Sequence, residues 1–399
     1  MGRLESRLAA TPVAHARYLA ITFFVVMAFG ACLVASISWL GGTSKALASL
    51  AVIAAEQSSS PKSIWLGEIE DVAPYKIERA TLTQPEIIVV GHSRCGEVRA
   101  EMFAPYKMYN ACTSAWTFNQ LIEEVDRLTT VAHPRVIIIT LDYFMFTDAW
   151  ADGYERSRAG NYAQGLSAYL RRLRDLAEYA YEISARHPVS AVYEIERNLL
   201  QIRRENVENS RLLGVHALRN EHGYRADGST LYGPGYRSII DQRNSEGAIF
   251  FMKSFPGASN MSMRQISDLR KLAELIHERG AALVGVQLPI ARAAVDYLDT
   301  NKEYWRSSGV WREFQSEAAA TMFRDMGITF FDLSRAAIND QPSHFIDPAH
   351  PNEGGTLAAL LEIVDRSEFR RLFPLVDKAE LSDTYQRAVQ SENQIDIYH

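Results

Sequence analysis

The sequence predicts an α/β domain: a parallel sheet between two helical layers, with a large helical and loop insertion and one transmembrane helix ahead of it. Three observations carry this. Short runs of consecutive apolar residues, such as Glu86 to Val90 and Arg135 to Asp142, read as strands buried on both faces. Helically spaced segments alternate with them, two of which stop on glycine. Residues 18–40 form a run without a single charged residue, long enough to cross a bilayer.

Taken in order, Arg3, Arg7 and Arg17 precede the apolar run against one acid, Glu5, and the first cation after it is Lys45. The positive-inside rule then keeps residues 1–17 in the cytoplasm and sends the rest across. A cleaved signal peptide is the rival, but the run exceeds the usual apolar core of one. Residues 41–80 read as a connecting region, with GGTSK and QSSSPKS as flexible points. The domain proper is expected over 81–375, with strands at Glu86–Val90, Tyr106–Ala111, Arg135–Asp142, Ala281–Leu288 and Ile328–Leu333. Helices are expected at Phe118–Leu128, at Met263–Arg279 before Gly280, at Trp311–Met326 before Gly327, and at Gly354–Val364. Residues 148–262 are an insertion far longer than a normal crossover, helical over 160–215 and rich in Gly and Tyr over 222–260. It reads either as a lid over a site or as a structural cap. The polar segment 376–399 reads as a loosely packed tail.

The chain has 399 residues, 47% of them hydrophobic, so it can bury a sizeable core. A net charge of −6 argues against non-specific nucleic-acid binding. The basic stretches RRLRD (171–175) and IRREN (202–206) are interleaved with acids and read as solvated helix faces. Cys32 lies in the apolar run; Cys95 and Cys112 are either a disulfide, if the domain is exported, or two buried thiols. No CxxC motif or Cys/His cluster suggests a metal, and no cofactor is expected.

The chemistry-bearing motif is IIVVGHSRCG, where a buried strand ends on Gly91 and a serine follows. Ligands of open parallel sheets bind beyond the carboxyl ends of the strands. There Ser93 is either the N-cap of the next helix or an exposed nucleophile beside backbone N–H groups. Far downstream, HFIDPAHPNEGG places Asp347 three residues before His350. A serine hydroxyl needs a base, a histidine can take and return its proton, and a carboxylate can fix the histidine tautomer. The two motifs together favour Ser93 as nucleophile, His350 as base and Asp347 as orienter.

The strand–GxSx start, a "YN…S" segment after the second strand and the DxxHPNxxG run resemble the SGNH hydrolase superfamily. The nearest likeness is to membrane-anchored, exported members of the alginate-acetylation and D-alanylation kind. The resemblance spans roughly residues 84–370, apart from the insertion, and implies a flavodoxin-like three-layer domain. It assigns the catalytic roles to Ser93, Asp347 and His350. It implies an oxyanion hole made by the N–H groups of Ser93 and Ala115, and candidate substrate contacts at Arg94, Asp142 and Tyr143. Where the superfamily places an asparagine as oxyanion donor, this chain has Asp142, which as a carboxylate accepts and cannot donate. Asp142 is therefore expected to organise a loop or pair with a cation. The function implied is O-acetylation of an exported polysaccharide or cell-envelope glycan, with a membrane-bound O-acyltransferase or polymer-export protein as partner and residues 18–40 in the lipid bilayer. A plain esterase or deacetylase on the same triad, and a non-catalytic glycan-binding subunit of the same fold, are the alternatives.

Overall fold

The structure is a computed structural model that describes residues 50–59, 63–65, 72–159, 210–212, 222–232, 255–300, 305–390 and 397–398, with 16–28 and scattered shorter pieces besides. The chain divides into two units: Ser49–Ala163 with Asn206–Leu212 and His216–His399, and Met1–Ala48 with Gln164–Glu205 and Leu213–Val215. In the smaller unit the stretch 16–28 is helical and its side chains are exposed, among them Leu19, Ile21, Phe23 and Phe24. Among the described residues no helix is long and apolar enough to cross a membrane. Of the expected span, residues 29, 32–34 and 36–40 lie outside the described residues, as does most of the stretch 160–215 expected to be helical.

The larger unit begins with helix α1 (Leu50–Ser59), strand β1 (Ser63–Trp65) and helix α2 (Ala73–Thr83). Then come β2 (Ile87–Val90), β3 (Met108–Asn110), α3 (Phe118–Val131), β4 (Val136–Thr140) and α4 (Asp148–Ala159). The insertion adds β5 (Ser210–Leu212), β6 (His222–Tyr224) and β7 (Thr230–Tyr232). The chain continues through α5 (Met263–Glu278), β8 (Ala282–Gln287), α6 (Arg292–Thr300), α7 (Trp305–Phe314), α8 (Glu317–Asp325) and β9 (Ile328–Asp332). It closes with the short pair β10 (Phe345–Asp347) and β11 (His350–Pro351), then α9 (Glu353–Leu361), α10 (Ser367–Leu372) and α11 (Lys378–Gln390).

Five strands form one all-parallel sheet in the order β3-β2-β4-β8-β9. Alternate side chains leave opposite faces of a strand. Accordingly Ile88, Val90, Ile137 and Ile139 enter a core with α3 and α5 to α8. Ile87, Val89, Val136 and Ile138 enter a second core with α9 to α11. Both faces being covered explains why these strands read as unbroken apolar runs. From β2 the chain winds first to β3 on one side and then back to β4 on the other. The carboxyl ends of β2 and β4 therefore flank the switch point where such sheets form a crevice.

Three expectations are corrected. The connecting region 41–80 holds two packed helices, with Ala54 in α1 and Tyr75, Lys76 and Ala80 in α2 fully buried. The buried face of α2 carries cations that bond backbone carbonyls, so it does not read as apolar. Lys76 Nζ donates to Asn110 O at 2.9 Å and to Gly228 O, and Arg79 donates to Ala226 O at 2.9 Å. The tail expected over 376–399 is in part helix α11, which buries Leu381, Thr384 and Ala388 at helical spacing and bonds Tyr385 Oη to His344 Nε2 at 2.8 Å. The single helix expected over 311–326 is two, because Ser316 caps α8 by accepting from Ala319 N at 3.2 Å. In the insertion, β6 and β7 join β1 and β5 in a second sheet.

Burial, only partly offset by Asp227 and Glu124, lowers the Lys76 amine from 10.5 to about 7. The neutral amine still has two N–H donors for its two carbonyl partners. The unfolded chain keeps this proton to higher pH than the fold does, so stability rises with pH between about 7 and 10.5. Denaturant unfolding across that window is expected to show this rise in the wild type and a flatter profile in Lys76→Met.

Candidate active site

The turn that carries Ser93, the expected nucleophile, follows β2 directly. Gly91 has φ +153°, and a Cβ placed on it would sit 2.3 Å from Thr140 Oγ1 on β4. Gly91→Ala is therefore expected to destabilise the fold by about 2–4 kcal/mol, read as a lowered melting temperature. After Gly91 the chain enters a 3₁₀ turn, Ser93–Cys95, whose N-cap is His92: its Nδ1 accepts from Arg94 N at 3.4 Å. Ser93 is thus not the cap. Its side chain is free for other work, and its N–H has no protein partner among the described residues.

Ser93 Oγ lies 2.8 Å from His350 Nε2, and His350 Nδ1 lies 2.7 Å from Asp347 Oδ2. The other Asp347 oxygen accepts from Ala349 N at 2.9 Å and His350 N at 3.0 Å. The β10–β11 bend pairs Asp347 with His350 directly, which is how two residues of one short motif supply both groups. Burial would raise the Asp347 carboxyl; the His350 charge and ring hydrogen bond and the two backbone donors outweigh it and hold it below the usual carboxylate range. It is ionised at neutral pH, as an orienter must be. Ser93 and His350 are half-buried, so the relay is reachable from solvent.

Ala115 is fully buried, and its N–H, like that of Ser93, has no protein partner among the described residues. The loop carrying it is tied to the nucleophile turn three times. Cys95 and Cys112 are disulfide-bonded with Cα atoms 5.8 Å apart. Thr113 N donates to Gly91 O at 2.8 Å. Asn110 Nδ2 donates to Cys95 O and Val98 O, both at 2.8 Å, while its Oδ1 accepts from Cys112 N at 2.9 Å. Replacing both cysteines by alanine is expected to cost about 3 kcal/mol in denaturant unfolding, since the bridge closes a loop of 17 residues.

Arg94, Asp142 and Tyr143, the expected substrate contacts, are buried at 2%, 0% and 1% exposure. Arg94 Nη1 donates to Asp142 Oδ1, so Asp142 does pair with a cation. The remaining donors of Arg94 go to carbonyls: Nε to Ala349 O at 2.6 Å, and Nη2 to Leu288 O at 2.8 Å and Pro289 O at 2.7 Å. Burial draws the guanidinium down to about 9 against the opposing pull of Tyr143 and Asp347, leaving it protonated at neutral pH. His92 Nε2 lies 2.7 Å from Asp142 Oδ2, without the alignment of a linear hydrogen bond. Burial, then the charges of Arg94 and His350, push His92 well below its ordinary value, so it is neutral. Its ring packs among Trp116 and Phe144.

Sequence reasoning missed the roles of His92 and Asn110. A polar residue at the buried end of each of two neighbouring strands was the available signal. Further along, Glu353 at the start of α9 is fully buried and accepts from Arg99 and from Arg225 Nη2 at 3.0 Å. Among the described residues no group of three or more His, Cys, Asp or Glu side chains is placed to hold a metal ion.

Fold and site together define an α/β protein with a Ser-His-Asp hydrogen-bond relay at the switch point of a parallel sheet. No protein-family model matches the chain, and a search of curated proteins finds no match.

Proposed function

We propose that the protein is a membrane-anchored serine acyltransferase of the SGNH hydrolase type, acting outside the cytoplasm in O-acetylation of an exported polysaccharide or cell-envelope polymer. The observation that carries this reading is the relay itself: Ser93 Oγ at 2.8 Å from His350 Nε2, and His350 Nδ1 at 2.7 Å from Asp347. His350 takes the Ser93 proton as the oxygen attacks the acyl carbonyl carbon. The oxyanion forms beside the N–H groups of Ser93 and Ala115. Collapse expels the donor's leaving oxygen or sulfur, which receives the proton from His350. A glycan hydroxyl then gives its proton to His350 and attacks the acyl-serine; the acyl–Oγ bond breaks, and Ser93 Oγ takes the proton back from His350.

The flavodoxin-like strand order and the two end motifs support the SGNH assignment. The uncharged run 18–40 supports a single-pass anchor with the N-terminus in the cytoplasm, and the Cys95–Cys112 bridge suits an oxidising compartment. A tethered enzyme can stay beside the membrane acyltransferase or export protein that delivers acyl groups. An esterase on the same relay shares the acyl-serine and differs only in using water.

The test is product analysis with an activated acetyl ester and an oligosaccharide acceptor. Acetylated oligosaccharide in the wild type, absent in Ser93→Ala, is the expected result. Free acetate alone marks an esterase, and an untouched ester sinks the catalytic reading in favour of a glycan-binding subunit.

A further inference from the structure

We propose that the buried Arg94–Asp142 pair positions the base: it locks the peptide leading into His350 and balances the charge that His350 feels. The inference rests on the serine-nucleophile reading above.

The peptide between Ala349 and His350 is held at both ends. Its carbonyl, Ala349 O, accepts from Arg94 Nε at 2.6 Å, and its N–H, on His350, donates to Asp347 Oδ1 at 3.0 Å. A peptide is planar and rigid, so two bonds on one plane fix where the His350 side chain starts. The Arg94 fork also grips Leu288 O and Pro289 O beyond β8 and Asp142 beyond β4. One buried side chain thus refers the base to the ends of three sheet strands, its own included. Arg94 is 2% exposed, so it acts on the base from beneath the surface.

Charge makes the second half of the inference. When Ser93 gives up its proton, His350 becomes cationic. An unbalanced guanidinium beneath it would oppose that step, and Asp142 cancels it. On its own segment His350 is paired with Asp347, and Glu353, three residues on, is balanced by Arg99 and Arg225. Across from it stand Ser93, neutral His92 and Arg94, with Asp142 behind them.

The test follows the rate at which a fluorophosphonate labels Ser93 in the full chain across pH. In this reaction the serine oxygen bonds phosphorus, fluoride leaves and His350 takes the proton. Asp142→Asn exposes the cation, so half-maximal labelling moves to lower pH. Arg94→Met leaves the anion, so it moves to higher pH, each by about 0.5–1 unit. The opposite signs are what a purely structural defect would not produce. Arg94→Lys keeps the charge but loses the planar fork, so the midpoint stays while the rate drops about tenfold or more. Midpoints that stay put, or move the same way in both charge variants, overturn the inference. Should those two variants not fold, an unslowed Arg94→Lys overturns it alone. A wild type that does not label removes the nucleophile reading and the inference with it; a labelling wild type with unaltered variants removes the inference only.

Discussion

Ser93→Ala is expected to lower turnover of an activated acetyl ester by at least ~10³-fold while leaving the melting temperature within a few degrees of wild type. The two halves of this result come from the same geometry. The partner of Ser93 Oγ is Nε2 of the half-buried His350, which water can reach once the hydroxyl is gone, so no fully buried group is orphaned. The turn that carries it is capped by His92 and tied down by Asn110 and the disulfide, so the backbone does not depend on the hydroxyl. What disappears is the atom proposed to bond the acyl carbon. Retained turnover would place the chemistry elsewhere.

Asp347→Asn is expected to cost about 10⁴-fold in turnover, more than its small change in shape suggests. Asp347 Oδ1 accepts two backbone N–H groups, from Ala349 and His350, and Oδ2 accepts from the imidazole. An asparagine keeps one oxygen and turns an NH₂ towards the ring. Its oxygen stays with the two backbone donors, so the NH₂ meets His350 Nδ1 and forces the proton onto Nε2. That ring nitrogen then points a hydrogen at Ser93 and can no longer act as base. The variant is also expected to lose a stability contribution with a defined pH window. The native carboxyl sits below its ordinary range, so its contribution is present above that range and vanishes as pH falls through the depressed value. Thermal melts at neutral and acid pH should therefore converge for the two proteins at the acid end. A pH-independent gap would contradict the Asp347 assignment.

The sheet was legible in the sequence because a strand buried on both faces leaves little choice of residue. Ile87–Val90, Val136–Thr140 and Ile328–Asp332 fall inside the apolar runs that announce them. The relay was legible for a different reason. Chemistry needs serine, histidine and carboxylate in particular local settings, a strand end and a tight bend, and both settings leave motif-length traces. What stayed hidden were interactions between a buried cation and backbone carbonyls. Lys76, Arg79 and Arg94 look like surface residues by composition, yet each is buried because carbonyl oxygens of distant segments take its N–H groups. Carbonyls carry no residue identity, so no pattern in the chain points to them. The same gap hid the packing of α1 and α2 and cast Arg94 as a substrate contact. Asp142 stood out as a departure from the superfamily pattern, and its partner could be named as a cation but not as Arg94.

The central claim is that Ser93 is an activated nucleophile. Its most direct test is to treat the wild-type protein with a fluorophosphonate at neutral pH and map the adduct by peptide mass spectrometry. One adduct is expected, on Ser93, and it disappears in His350→Gln although the serine is still present. An unmodified Ser93 in folded wild-type protein, or equal labelling without His350, would contradict it.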